Sequence, residues 1–486
     1  MRYGFALCAL LLPFVAVAQP VPCENGFAGP YPCSNVDLLS QPTEVGASDI
    51  WGWTDPQTGT EYAIFFTGGR TTFYDLSDPT APVLVGRLAA TAGKDARVYA
   101  DHLFVVDDSG LPGMLVFDLT RLRGVETPPA TFEHDAVYTG IERAHNLSLD
   151  PTSGFAYPVS FTSRGRNCAG ALHIVDVRDP LNPAFAGCFT GTASVMSFHD
   201  AHCITYDGPD ADYTGRELCF GSAGSDGVLA VVDVTNKSRP ALISEAPYPN
   251  AAFAHQGWLT EDGRYFLLND EFDEGSFGIN TRTVVFDVSD LDEPEFVFEH
   301  FAETMATDHN LFVRGDYVYQ ANYGAGLRIL DLNGIDGGVL TEAAFFDTRP
   351  DVDGFSGAWG VYPFFESGIV IVSDMARGLF VLQPRLDPTT DAEPVAEPSE
   401  HLALTAYPNP FAGHATVALS VETTQRVHVA VYDVLGREVA LLHDDLLGAG
   451  EERTLTLNGA GLPAGSYVVR AVGETFEVSR SASLVR

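Results

Sequence analysis

Four histidines fall at matching points of a unit that repeats along the chain and ends in an aspartate. His145 lies 31 residues before Asp176, His202 lies 31 before Asp233, and His255 lies 32 before Asp287. His309 lies 22 before Asp331, in a unit with a shorter hairpin. Two tryptophans, Trp51 and Trp359, each lie 24 residues before their own unit ends, Asp75 and Gln383. Asp200 and Asp308 sit beside these positions in sequence. Imidazole with carboxylate is a ligand set for a divalent transition metal such as zinc, iron, manganese or copper. Protonated, the same imidazoles suit a small anion. The competing reading of each histidine is a buried side chain bonded to a neighbouring backbone.

A second cluster is Asp270, Glu271, Asp273 and Glu274, followed by Gly275. Carboxylates gathered on a glycine-containing loop can collect calcium through oxygen. The spacing is not that of an EF-hand, and a solvated acidic loop is the competing reading. No GxSxG elbow and no HExxH helix occurs, so neither nucleophile nor zincin chemistry is indicated.

These residues need a scaffold that brings distant positions together. The repeated unit is clearest in LHIVDVRDP at Leu172–Pro180. Its aligned positions are Asp75, Asp118, Asp176, Asp233, Asp287, Asp331 and Gln383, separated by 43, 58, 57, 54, 44 and 52 residues. Seven copies at that spacing predict a seven-bladed β-propeller in an all-β chain. The first strand of each blade would line a central channel, with the histidines and indoles ringing one mouth. Residues 46–384 form this body, and residues 19–45 are expected to be a disulfide-stapled N-terminal cap. An acidic, Pro-rich linker covers 385–400. A small β-sandwich covers 401–486.

The chain opens with Arg2, an apolar run from Phe5 to Val17 and a small-x-small site at Ala16–Ala18. This reads as a signal peptide over 1–18, and no later run is long enough to span a membrane. The mature chain keeps six cysteines. Fifteen pairings are possible, and the sequential one brackets local loops: Cys23–Cys33, Cys168–Cys188 and Cys203–Cys219. The formal net charge is −38, from 65 acidic and 27 basic residues. Nucleic-acid binding needs a basic footprint and is disfavoured.

The strings CENGFAGPYPCSNVDLLS, HDAHCITYDGPD, HQGWLTEDGRYFLLNDEFDE and DHNLFVRGDYVYQANYGAGLRILDL carry a resemblance. With these, residues 23–384 resemble the choice-of-anchor B proteins with LVIVD repeats. That resemblance implies a surface-exposed body and supplies no reaction. YPNPF, VAVYDVLGREV and LPAGSYVVR, within 401–486, resemble the type A C-terminal sorting domain of the type IX secretion system. This implies export by type IX machinery in a Bacteroidetes-like Gram-negative bacterium, through the periplasm to the cell surface or medium. It also implies tail cleavage, with release or attachment to outer-membrane lipopolysaccharide.

Three functions remain open on this reading. The first is a secreted or surface propeller that binds a ligand or partner, with a metal site at the channel mouth. The second is a metal-dependent extracellular hydrolase or oxidoreductase. The third is a structural envelope protein.

Overall fold

The computed structural model describes residues 20–386 and 403–484, apart from 43–45, 68, 90–92, 109–112, 164–169, 353, 408–410, 412, 422, 434–436, 450–452, 464 and 474–476. The signal segment and most of the linker lie outside the described residues. Two compact units divide at Leu386. Among the described residues, no helix is long and apolar enough to cross a membrane.

The first unit is seven sheets, one per repeat, antiparallel except where Ala130–Phe132 adds a parallel strand to the edge of blade one. Blade four shows the plan: strands Asp200–Thr205, Glu217–Ser222, Val228–Asp233 and Ala241–Pro247 pair in order. Its second and third strands are apolar and buried on both faces, because each blade packs between two others. Stacked rings such as Phe73 on Phe117 and Phe220 on Phe266 fill the space between blades. Each such side chain contributes about 1.5–3 kcal/mol through burial.

The repeated aspartate has a local cause. It ends the third strand, and its Oδ1 accepts the backbone N–H two residues on. The partners are Ser77, Thr120, Arg178, Thr235, Ser289 and Asn333, at 2.7–3.1 Å. This turn lets the chain reverse while the next apolar residue, such as Val234 or Val288, stays buried. Gln383 departs from the pattern because blade seven has no such turn. Its third strand runs on to Pro384, pairing with Val36, and the fourth strand is Val36–Ser40 from the N-terminus.

The expected cap therefore does more than cover an end. Residues Tyr31–Ser34 extend blade six and Val36–Ser40 complete blade seven, so the N-terminal segment closes the ring. The Cys23–Cys33 disulfide staples it, and Cys203–Cys219 joins facing residues of blade four. Cys188 is disulfide-bonded, and its expected partner Cys168 lies outside the described residues.

The second unit is a sandwich of a three-stranded and a four-stranded sheet. Val417, Leu419, Val429, Val431, Val469 and Ala471 form its core.

Candidate functional site

Pairing within the blades sets the register of the first strands. Ser48, Lys94, His145, His199, His255, His309 and Trp359 stand at the equivalent point of the first strands of blades one to seven: within one residue of the strand's start in six blades, and at the fifth residue of the longer strand Ile141–Asp150 in blade three. Four consecutive blades thus bring imidazoles side by side. Ring centroids are 5.0 Å apart for His145 and His199, 4.3 Å for His199 and His255, and 4.4 Å for His255 and His309. Trp359 follows at 4.5 Å from His309, and Lys94 Nζ lies 4.0 Å over its ring.

Three of these rings are locked by backbone. His199 Nδ1 donates to the His255 carbonyl at 3.0 Å, His255 Nδ1 to that of His309 at 2.8 Å, and His309 Nδ1 to that of Trp359 at 2.6 Å. A carbonyl only accepts, so each Nδ1 carries the proton and each Nε2 keeps a lone pair. His145 is held instead by Asp108 Oδ2 at 2.7 Å. Burial holds His199 and His309 well below the ordinary histidine range and His255 at about 3, so all three are neutral. Burial also lowers His145.

Glu271 faces them from the loop after the second strand of blade five. Its Oε2 is 3.7 Å from His255 Nε2 and its Oε1 is 3.8 Å from His309 Nε2. Tyr323 donates to Oε1 at 2.8 Å. Burial raises Glu271, and the Tyr323 hydrogen bond pulls it back down. The three ligand atoms lie within 4.8 Å of one another. The separations are too long for hydrogen bonds. They are near the ~3.4 Å edge of a tetrahedron with metal–ligand bonds of about 2.1 Å. Two lone pairs opposite a carboxylate are acceptors facing an acceptor, an arrangement that a cation relieves. Neutral imidazoles and one carboxylate suit zinc, iron, copper or manganese.

Other sequence-derived candidates lie elsewhere. His202 is three residues further along its strand and stacks on Trp258 with centroids 3.6 Å apart. Trp51 shares that deeper layer, under Arg97 at 4.2 Å. Both line a cavity of 490 Å³ with Trp53, Arg97, Tyr362 and Phe364. His202 and Trp51 therefore do not join Trp359 at the mouth, which corrects the expected ring. Burial lowers His202 to about 3. Asp200 has Asp95 and Arg97 as its charged neighbours: its Oδ1 accepts the Ala201 N–H at 2.7 Å, and burial raises it to about 7.

The acidic run is divided rather than gathered. Asp270 accepts from Tyr248 Oη and from the Ala252 and Phe253 N–H groups at 2.6–2.7 Å. Asp273 pairs with Arg282 at 2.6 Å. Glu274 Oε1 meets the Asp308 N–H at 3.2 Å. The run forms no solvated loop, because Asp273 and Glu274 lie buried in a one-turn helix, Asp273–Phe277.

Residues 223–246 and 308–333 match the LVIVD repeat family, and residues 405–482 match the secretion system C-terminal sorting domain family. The chain carries LVIVD repeats and a secretion-system sorting tail. The second LVIVD match spans Asp308, His309, Tyr323 and Asp331. No curated protein matches. A crystal structure of a protein from Lactobacillus plantarum is 13% identical with a TM-score of 0.44, covering 85% of this chain and 98% of that one. That likeness is too slight to bear on function.

Counting back from the LVIVD aspartate missed His199, because hairpin length differs between blades. A better signal was present. Each mouth histidine is followed by an amide or carboxylate: Asn146, Asp200, Gln256 and Asn310. Two of them bridge blades: Asn146 Nδ2 donates to the His199 carbonyl at 3.0 Å, and Gln256 accepts from the Leu311 N–H at 2.8 Å and donates to its carbonyl at 2.9 Å. His202 is followed by Cys203 and fails that test. Nothing in the sequence paired Glu271 with the histidines, since the loop that carries it takes its direction from the blade.

Proposed function

We propose that this type IX secreted protein is a metal-binding propeller. His255, His309 and Glu271 hold a divalent transition metal at the channel mouth, with His199 next in the arc. The open side of the metal binds an oxygen- or nitrogen-donor ligand from the extracellular medium. One observation carries the reading: two backbone-locked imidazoles present Nε2 lone pairs to one carboxylate at 3.7 and 3.8 Å. A purely structural envelope role gives no reason for that convergence. Full-length protein purified without chelator should hold about one transition-metal ion per chain by elemental analysis. Its loss in a His255→Ala/His309→Ala variant is expected, and metal-free wild type would sink the proposal.

A second reading, a metal-dependent hydrolase or oxidoreductase, is favoured by the same set. Two histidines and one carboxylate leave coordination positions for water or substrate. Tyr323 and Lys94 flank that space. Metal-dependent turnover on a panel of extracellular esters, glycosides and phenols would select it over binding alone. We further place the mature body outside a Gram-negative cell, reached through the periplasm, with tail cleavage followed by release or lipopolysaccharide attachment. The sorting-domain match of residues 405–482 supports this, and fractionation of culture medium and outer membrane tests it.

A further inference from the structure

The deeper layer of the channel carries a second set of side chains, around the cavity of 490 Å³. Trp51, Tyr362, Phe364, Trp258 and His202 follow one another along its wall, with ring centroids 5.1, 5.4, 6.1 and 3.6 Å apart in that order. Phe312 stands edge-on to Trp51, Trp258 and Phe364 at 5.0–5.9 Å and fixes them. Glycine at 52 leaves the Tyr362 ring its place, since a Cβ there would overlap it. Two polar groups interrupt this apolar wall. His202 is 9% exposed, and among the described residues neither of its ring nitrogens has a hydrogen-bond partner. Burial keeps its ring neutral, so it offers one N–H and one lone pair. Arg97 is 7% exposed and lies 4.2 Å over Trp51. Its Nη1 donates to Asp95 Oδ1 at 2.5 Å and to the Ala96 carbonyl at 2.8 Å, and among the described residues its Nε and Nη2 have no partner. Buried donors without partners are costly, and both side chains line the cavity.

We infer that this cavity binds an uncharged, planar aromatic molecule that carries an accepting oxygen. The rings of the wall pack against its faces and edges. Arg97 donates to its oxygen, and His202 supplies a second polar contact. The volume is that of a small-molecule pocket. Charge argues for a neutral ligand. Asp95 already matches the Arg97 charge, and Asp49 and Asp200 interact with both, so the cost of desolvating an anion is not offset. A cation would meet Arg97, the one charged side chain on the wall. A sugar needs a partner for each hydroxyl, and the wall is short of them. The Ser148 hydroxyl is spent on the Cys203 N–H at 2.9 Å. The cavity shares no residue with the His255, His309 and Glu271 set, so the inference does not rest on the metal.

Three of the four tryptophans, Trp51, Trp53 and Trp258, line the cavity, so quenching of intrinsic fluorescence reads its occupancy. The probe is coumarin, a planar uncharged molecule with a lactone carbonyl, titrated into the full chain. Saturable quenching at about one site per chain is expected. Naphthalene, similar in shape but without the oxygen, should bind about 10-fold more weakly, the worth of one hydrogen bond. Coumarin-3-carboxylate and cellobiose should bind more weakly than coumarin. Arg97→Lys keeps a charge for Asp95 but loses the planar fork, so it should bring coumarin down to the affinity of naphthalene and leave naphthalene unchanged. Trp258→Leu should weaken both, and it covers the case in which the Arg97 variant misfolds. The His255→Ala/His309→Ala variant should bind coumarin as wild type does. Wild type that shows no saturable binding of coumarin would overturn the inference. So would tighter binding of cellobiose or of the carboxylate, which would make this a sugar or an anion site. Coumarin binding unchanged in both Arg97→Lys and Trp258→Leu would place the ligand elsewhere and overturn it too.

Discussion

A carboxylate 3.7 and 3.8 Å from two imidazole nitrogens that cannot donate to it is costly unless something positive lies between. That local frustration makes sharp predictions about single side chains. Tyr323→Phe removes only the hydrogen bond that orients Glu271, so metal affinity should fall about 10–100-fold while the metal is still bound. Competition against a chromophoric chelator measures this. His202→Ala, three residues below the arc, should leave metal content unchanged, because its ring stacks on Trp258. Loss of metal in His202→Ala would return the site to the deeper layer. The pair of histidines at His199 and His202 shows where residue types alone run out. Both belong to the string HDAH: His202 lies on the channel-lining strand Asp200–Thr205, and His199 immediately precedes it. Only the register of that strand decides which ring reaches the mouth, and register is set by cross-strand pairs such as His202 with Phe220.

At the scale of elements, the blades were legible because the turn that ends the third strand in six of the seven demands an Asp with an apolar residue after it. The way the ring closes was not legible. Val36–Ser40 reads as part of a Pro- and Gly-rich leader, yet it supplies the last strand of blade seven. Its alternating burial, Val36 and Leu38 inside, was the available sign. The Cys23–Cys33 loop holds that segment in place. Replacing both cysteines with serine should cost about 2–3 kcal/mol in urea unfolding, the amount expected for a loop this short. It should also open the segment to limited proteolysis ahead of the other blades. A joint between blades one and two gives a pH prediction. Arg123 donates to Asp55 at 2.8 and 2.6 Å, and this holds the buried carboxyl far below the usual carboxylate range. A depressed folded-state pKa adds stability above the unfolded value of about 3.9, and that stability fades as pH falls towards the folded value. Asp55→Asn should therefore lose about 1–3 kcal/mol at pH 7 and progressively less below pH ~4. An equal loss at both ends of the range would mean that packing, not charge, accounts for the effect.

At the scale of the whole molecule, the two units keep separate cores. The sandwich core draws on residues from Phe411 to Leu484, and none of the propeller clusters extends past Leu386. If the tail is cut away as proposed, it must not support the fold it delivers, and separate cores meet that requirement. A chain ended at Leu386 should therefore keep the metal content of the full protein. It should also keep the melting temperature of the propeller transition. What it should lose is export, since residues 405–482 are the sorting domain. Expression of both forms in a host with a type IX system, followed by assay of medium and cell fractions, separates the two roles. The full chain should reach the outside as a propeller shortened by the mass of its tail, and the truncated chain should stay within the cell envelope. If truncation instead lowers melting or strips the metal, the tail is part of the working body, and the separation between delivery and function fails.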